Sequence, residues 1–208
     1  MVGQGIDKIE RLSQQADAKS AKRARKKQEL ADNAITALKQ LGYARTSLRD
    51  IAAMSGVAVG TLHYYFEDKV DLIGFCVRRY KVGFVAQMDA IVQTGDAPDK
   101  LVERFIKGLA LSIRRDAETH RLWYDVRSQA MFDPAFEEVV FEIEAAMIAL
   151  VMRLLDRLDQ PADQVRAQAC YLMLDAAFRF HLQRYLAGDK DAPSAFETQV
   201  CTQFAAVL

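Results

Sequence analysis

Ten residues between positions 46 and 69 are of types suited to contact with a phosphodiester backbone and the edges of base pairs. Thr46 and Ser47 place two hydroxyls at the start of a short helical pattern, where each can donate to a phosphate oxygen. Arg49 lies close by, able to reach a phosphate or a guanine edge, where a two-bond guanidinium contact gives ~1–3 kcal/mol of discrimination. Val59, Thr61 and His63 follow on a second short pattern. Thr61 and His63 offer hydrogen bonds to bases, whereas Val59 is restricted to apolar contact such as a thymine methyl. Gly60 between them has no side chain and admits close backbone approach. Tyr64 and Tyr65 either pack against a core or touch phosphate. Lys69 opens the next helix, where its charge and the free N–H groups together suit a phosphate.

The elements that must position these residues are legible at short range. Ser47 is a good N-cap, and Leu48, Ile51 and Ala52 fall on one face of a helix of about two turns. Gly56 can take the left-handed conformation that ends it. Val57 plugs the turn, and a second helix is predicted from about Ala58 to Tyr65. Two short helices about a glycine turn form a helix-turn-helix, whose second helix enters the DNA major groove. Upstream, Leu30, Ala34, Ala37, Leu38 and Leu41 repeat at helical spacing until Gly42 stops the run. That first helix, with Leu62 and Phe66, completes a three-helix core. Six of the nine residues from Lys19 to Lys27 are basic. They form either a solvated helix start or an arm on the phosphates or in the minor groove. Residues 1–18 lack sustained apolar periodicity beyond a weak amphipathic turn of Ile6, Ile9 and Leu12 and read as a mobile extension, so residues 1–25 are assigned to a basic N-terminal extension.

Gly42-Tyr43, Thr46-Ser47, Ile51-Ala52, Gly56-Val57, Gly60-Thr61-Leu62, Tyr64-Tyr65-Phe66, Lys69 and Leu72 together resemble the DNA-binding segment of the tetracycline-repressor (TetR) family of bacterial transcriptional regulators. The resemblance covers roughly residues 26–75; beyond it the chain matches the family only in helical layout. Three positions depart from the family pattern. Ala58 stands where Ser is usual, so the second helix loses a side-chain cap. Val59 stands where a polar or basic residue is common, and His63 where Tyr is commonest. The resemblance implies an operator-binding regulator, expected to be a repressor, acting as a homodimer and released by a small-molecule effector. The competing reading is an architectural or protein-interaction helical module without ligand regulation.

The formal net charge of zero hides an asymmetry. Residues 1–81 hold 15 Lys/Arg against 9 Asp/Glu, a net of +6, and the remainder carries −6. A basic N-terminal third suits phosphate neutralisation, and the acidic remainder would be repelled by the duplex. With 51% hydrophobic residues the chain is globular, and no window reaches the ~18 uninterrupted apolar residues of a membrane span. Cys76, Cys170 and Cys201 are scattered, with no Cys-x-x-Cys pair, and read as buried reduced thiols of a cytoplasmic protein. His63, His120 and His181 have no partner at ligand spacing, so no metal is expected. There is no phosphate-cradling glycine loop and no nucleophile elbow, so neither a cofactor nor a catalytic role is expected.

Asp68 and Asp71 cap a long fourth helix through Phe75, Tyr80, Phe84 and Met88. Pro98, Pro134, Pro161 and Pro193 then precede apolar periodic runs, as prolines at helix starts do. They predict helices at about 98–115, 118–131, 134–158, 162–187 and 193–207. The expected fold is therefore all-α, with about nine helices. A DNA-binding head over 26–69 precedes a ligand-binding and dimerisation body over 70–208. Helix 162–187 is apolar nearly all round, which means burial on more than one side. Phe178, Leu182 and Tyr185 on it, with Val200 and Phe204 on the last helix, are assigned to a four-helix dimer interface; the alternative is that 162–187 is a central core helix of a monomer. The resemblance implies an effector site among helices four to seven. Phe105, Trp123, Tyr124, Phe141 and Met147 are candidate apolar lining, or simply core. Arg127, one turn from Trp123, is the candidate for an anionic group, and Glu144 or Asp175 for a cation. Asp175 is alternatively paired with Arg179 at i+4.

Overall fold

The computed structural model describes the backbone of residues 3–43 and 45–207, and the side chains of 17–43 and 45–204. Among the described residues there are eight α-helices, one 3-10 turn and no strand: α1 (Gly3–Leu41), α2 (Leu48–Met54), α3 (Val59–Tyr65), α4 (Lys69–Val92), α5 (Pro98–Gln129), the 3-10 turn Pro134–Phe136, α6 (Glu137–Arg157), α7 (Gln164–Leu186) and α8 (Ala192–Val207). The predicted pair 98–115 and 118–131 is the single helix α5, and the break between them survives as a kink at Asp116 (φ −120°, ψ 19°). The extension expected over residues 1–25 is drawn into α1, which is helical from Gly3. Its Ala, Gln, Lys and Arg residues are strong helix formers, and none of them breaks the backbone ladder. The side chains of Ile6, Ile9 and Leu12, expected on a weak amphipathic turn, lie outside the described residues.

The chain divides into two compact units, residues 1–76 and 77–208. The first is held by a core of Leu30, Ala31, Ala34 and Ala37 from α1, Ile51 and Ala52 from α2, then Leu62, Phe66, Leu72 and Cys76. It takes in the first two turns of α4 because Leu72 and Cys76 belong to that core. Ser47 forms a capping box with Asp50: Asp50 N–H donates to Ser47 Oγ at 3.2 Å, and Ser47 N–H donates to the Asp50 carboxylate at 2.8 Å. Gly56 has φ +64°, the left-handed conformation that lets α2 stop and the chain turn into α3. Ala58 at the N-cap of α3 makes no side-chain cap, as its departure from Ser predicts. Asp68 caps α4, accepting from Asp71 N–H at 2.8 Å.

The second unit packs the rest of α4 with α5 to α8 around one apolar core. Pro98 begins α5, Pro134 the 3-10 turn, and Pro193 sits in the first turn of α8. The helix following Pro161 is capped by Asp163, which accepts from Arg166 N–H at 2.9 Å. The face of α7 turned to this core carries Tyr171, Leu174, Phe178 and Leu182. Phe178, Leu182, Val200 and Phe204 are thus buried by their own chain, which corrects their assignment to a dimer interface, while Tyr185 is half-buried. The other side of α7 exposes Val165, Ala169, Leu172, Ala176 and Phe180, spaced along one stripe. Cys76 and Cys170 are buried as expected, but Cys201 is exposed on α8.

Candidate nucleic-acid interface and body cavity

In the first unit, α3 turns Leu62 inward and leaves Gly60, His63 and Tyr64 exposed. Val59 and Tyr65 are half-buried against the core, and Thr61 is half-buried beside them. A Cβ built on Gly60 would meet no atom within 4 Å, and its φ is not in the left-handed region. Nothing inside the fold therefore requires glycine there. Arg49 is exposed on α2. Arg23 of α1 stands over the Tyr64 ring, 5.5 Å from its centroid, and Tyr64 meets Tyr65 edge to face at 4.9 Å. The basic stretch thus reaches the exposed face of α3 as part of a rigid helix. Sequence reasoning placed charge there but did not pair Arg23 with Tyr64.

Two of the residues assigned to phosphate have internal partners instead. Thr46 is buried, and its hydroxyl donates to the carbonyl of Gly42, closing the turn after α1. Lys69 donates to the Tyr43 carbonyl at 2.6 Å, and its ammonium lies 3.9 Å from the centre of the Tyr43 ring. The first closes the loop between α1 and α2 on itself, and the second ties that loop to the start of α4. The positive φ of Gly42 exposes that helix end, so its carbonyls need such donors. Ser47 remains exposed, with its hydroxyl engaged by the capping box.

In the second unit the candidates for ligand contact separate into two places. Phe105, Tyr124, Met147 and Asp175 line a small cavity of about 40 Å³, together with Lys81 and Tyr171. Tyr124, Arg127, Phe141, Glu144 and Asp175 line an open groove of about 730 Å³. Phe141 is 64% exposed there, so it is not part of a buried pocket. Trp123 lines neither space; it is buried behind Lys81, 4.8 Å from that ammonium.

The charged candidates neutralise one another. Arg127 is paired with Glu144 at 2.7 Å and with Asp175. Asp175 also accepts from the Tyr124 hydroxyl at 2.8 Å. Arg127 is therefore not free for an anionic ligand, nor are Glu144 and Asp175 for a cation. The partner of Asp175 is Arg127 on α5, across the helix pair, and not Arg179 along α7. One guanidinium between two carboxylates gives each a charge-assisted hydrogen bond.

Lys81 is the functional candidate that sequence reasoning missed. It is 3% exposed, its ammonium faces Trp123, Phe84 (5.1 Å) and Tyr80 (5.7 Å), and burial lowers its pKa from 10.5 to about 7. No described residue gives that ammonium a hydrogen-bond acceptor. The one signal available in sequence was a lysine flanked by Tyr80 and Phe84 on an apolar helix face. His120 lies next to it, held neutral because burial, then the charges of Lys81 and Arg115, push its pKa well below the usual range. Ser112 donates its proton to the Leu109 carbonyl, so His120 Nε2–H donates to Ser112 Oγ at 3.2 Å and Nδ1 accepts from the Tyr80 hydroxyl at 2.9 Å. Tyr171 is buried, and its hydroxyl has no partner. Among the described residues no group of three or more His, Cys, Asp or Glu is placed to hold a metal, and no helix is long and apolar enough to cross a membrane.

Residues 30–74 match the family described as "Bacterial regulatory proteins, tetR family". No curated protein matches the chain. Among solved structures it is similar to a TetR transcription regulator from Haloarcula marismortui, with TM-score 0.73 and 19% identity, covering 89% of this chain and 98% of that one. It is also similar to the transcriptional regulator FadR from Bacillus subtilis in complex with stearoyl-CoA (TM-score 0.68, 16% identity, 87% and 98% covered). A third likeness is the multidrug binding protein EbrR complexed with imidazole (TM-score 0.60, 25% identity, 82% and 92% covered). These likenesses extend the fold match through both units.

Proposed function

We propose that this chain, which belongs to the tetR family of bacterial regulatory proteins, is a transcriptional repressor that binds a specific operator as a homodimer and leaves it when a small molecule occupies the second unit. The observation that carries the DNA reading is the exposed face of α3, where Gly60, His63 and Tyr64 stand clear of the core beside Arg49 and Arg23. Gly60 lets the backbone approach the groove, His63 offers hydrogen bonds to base edges, and the basic residues of α1 meet phosphates. Thr61 and Val59, half-buried, are left with edge contacts. FadR and EbrR, solved with stearoyl-CoA and imidazole, support a ligand for this fold.

For the dimer, the exposed stripe Val165, Ala169, Leu172, Ala176 and Phe180 on α7 is the surface that burial against a second copy would satisfy. Two-fold symmetry then requires a palindromic operator with half-sites about 34–36 Å apart, or a multiple of that. Such a protein works where the DNA is, in the cytoplasm. Helix α4 is continuous from Lys69 to Val92 and contributes residues to both units, so it is the element through which ligand and operator are coupled. Release requires a ligand that favours the DNA-incompetent state; one binding both states equally shifts nothing.

The test is selection of duplexes from a random pool by the full chain at physiological salt. Wild type enriches a palindrome, and His63→Ala changes the preferred base at one position in each half-site. Enrichment of no sequence, with affinity set by salt alone, would replace this reading with an architectural one.

A further inference from the structure

We propose that Lys81 anchors the carboxylate of a hydrophobic acid that enters the second unit along the groove between α4 and α6. The inference rests on the reading of this unit as ligand-responsive and names the chemistry of its ligand. Two donors face one cavity: the Lys81 ammonium, which stands over the rings of Trp123 and Phe84, and the Tyr171 hydroxyl, which is buried without a partner. Leaving such groups unmatched is costly, and a carboxylate, with two oxygens and several lone pairs, can satisfy both at once. The carboxylate already in the wall, Asp175, is engaged by Arg127 and Tyr124. The remaining wall, including Phe105, Leu109, Leu150 and Leu174, is apolar and suits a hydrocarbon or aromatic body.

Lys81 also lines a second space, a groove of about 290 Å³ between α4 and α6 with Val82, Val85 and Ala146 in its wall. The lysine thus lines both that groove and the small cavity. Two ion pairs cross the groove from α4 to α6, Arg78–Glu142 and Asp89–Arg153, each at 2.6 Å. Exposed pairs of this kind contribute little and open readily. A cavity of about 40 Å³ holds only a few waters, so the acid must part α4 from α6 to lodge there. That movement acts on the helix shared with the DNA-binding unit. The groups around the ammonium are Tyr80 on its own helix, neutral His120 with Tyr124 and Arg127 on α5, and Tyr171 and Asp175 on α7, while Arg78, Asp89, Glu142 and Arg153 line the groove beside it. Lys81 titrates near pH 7 in the empty protein, so carboxylate affinity falls as pH rises above about 7.

Trp123, the single tryptophan, reports on the site through its fluorescence. Octanoate, decanoate and dodecanoate are titrated into the full chain beside the alcohols of equal length. At least one acid gives a saturable signal and binds at least about ten-fold more tightly than its alcohol. Lys81→Met weakens the acid by a similar factor and leaves the alcohol within about two-fold, and Tyr171→Phe weakens the acid by a smaller factor. Saturable binding by none of the acids, equal binding of acid and alcohol, or acid binding unchanged in Lys81→Met would overturn the assignment. Release of the selected operator duplex is measured separately. Lys81-dependent acid binding without release leaves this inference standing and removes the regulatory reading. Release by some other small molecule, unaffected in Lys81→Met, does the reverse.

Discussion

Replacing Lys81 by Met should stabilise the second unit, by an amount that shrinks as pH rises. In the unfolded chain the lysine titrates at its ordinary 10.5, and in the fold burial lowers that to about 7. Below about pH 7 both states are protonated and the fold carries the whole penalty, ~5 kcal/mol at 1.36 kcal/mol per pKa unit. Between about 7 and 10.5 the unfolded state holds the proton and the native state does not. Wild-type stability therefore rises with pH across that window, by up to ~1.4 kcal/mol per pH unit. Methionine fills the same space without a charge and loses only the ring contacts, a term that changes little with pH. The stability difference between Lys81→Met and wild type should fall from ~5 kcal/mol near pH 6 to ~2 kcal/mol near pH 9. Tyr80, Tyr124 and Tyr171 do not interfere, because burial raises their hydroxyls above the ordinary tyrosine range. Urea unfolding followed by Trp123 fluorescence measures both proteins at each pH. Parallel pH profiles would refute the argument, since they would mean that the ammonium is as well solvated in the fold as outside it.

Gly60→Ala should leave the fold intact or stabilise it by ~0.5–1 kcal/mol, since the position is helical and open, yet weaken operator binding; unchanged binding in a mobility-shift titration would remove Gly60 from the interface. Thr46→Val should cost ~0.5–1.5 kcal/mol in thermal unfolding of the first unit through loss of the bond to Gly42, with no change in the salt slope of DNA binding. Leu172→Glu or Phe180→Glu should give a folded monomer by light scattering, whereas Phe178→Glu should unfold the second unit; a dimer surviving both surface changes would move the interface elsewhere. Arg127→Met should destabilise by roughly 1–3 kcal/mol at neutral pH. Urea unfolding measures that loss, and a stability equal to wild type would show that the pairs with Glu144 and Asp175 make no net contribution.

What the sequence by itself determined was whatever a few neighbouring residues decide. The Ser47–Asp50 capping box, the left-handed Gly56 and the helix starts near Pro98 and Pro134 are local, because caps, φ preferences and missing N–H groups act within a turn. The packing of α1, α2 and α3 through Leu30, Ile51, Leu62 and Phe66 followed from periodicity, since each of those helices has one apolar face. The tertiary structure decided which polar groups are left free and which apolar face is left bare. Helix α7 is apolar on nearly every side, so its sequence holds no record of its rotation. Packing against α5, α6 and α8 set that rotation, placing Phe178 and Leu182 inside and Leu172 and Phe180 outside. The same rotation brought Asp175 to Arg127, a residue 48 positions away, in place of Arg179 one turn along. Lys81 shows the reason most directly. A lysine on a helix is ordinarily a surface residue, and only the meeting of Trp123, Phe84, His120 and Tyr171 from three helices removes it from water.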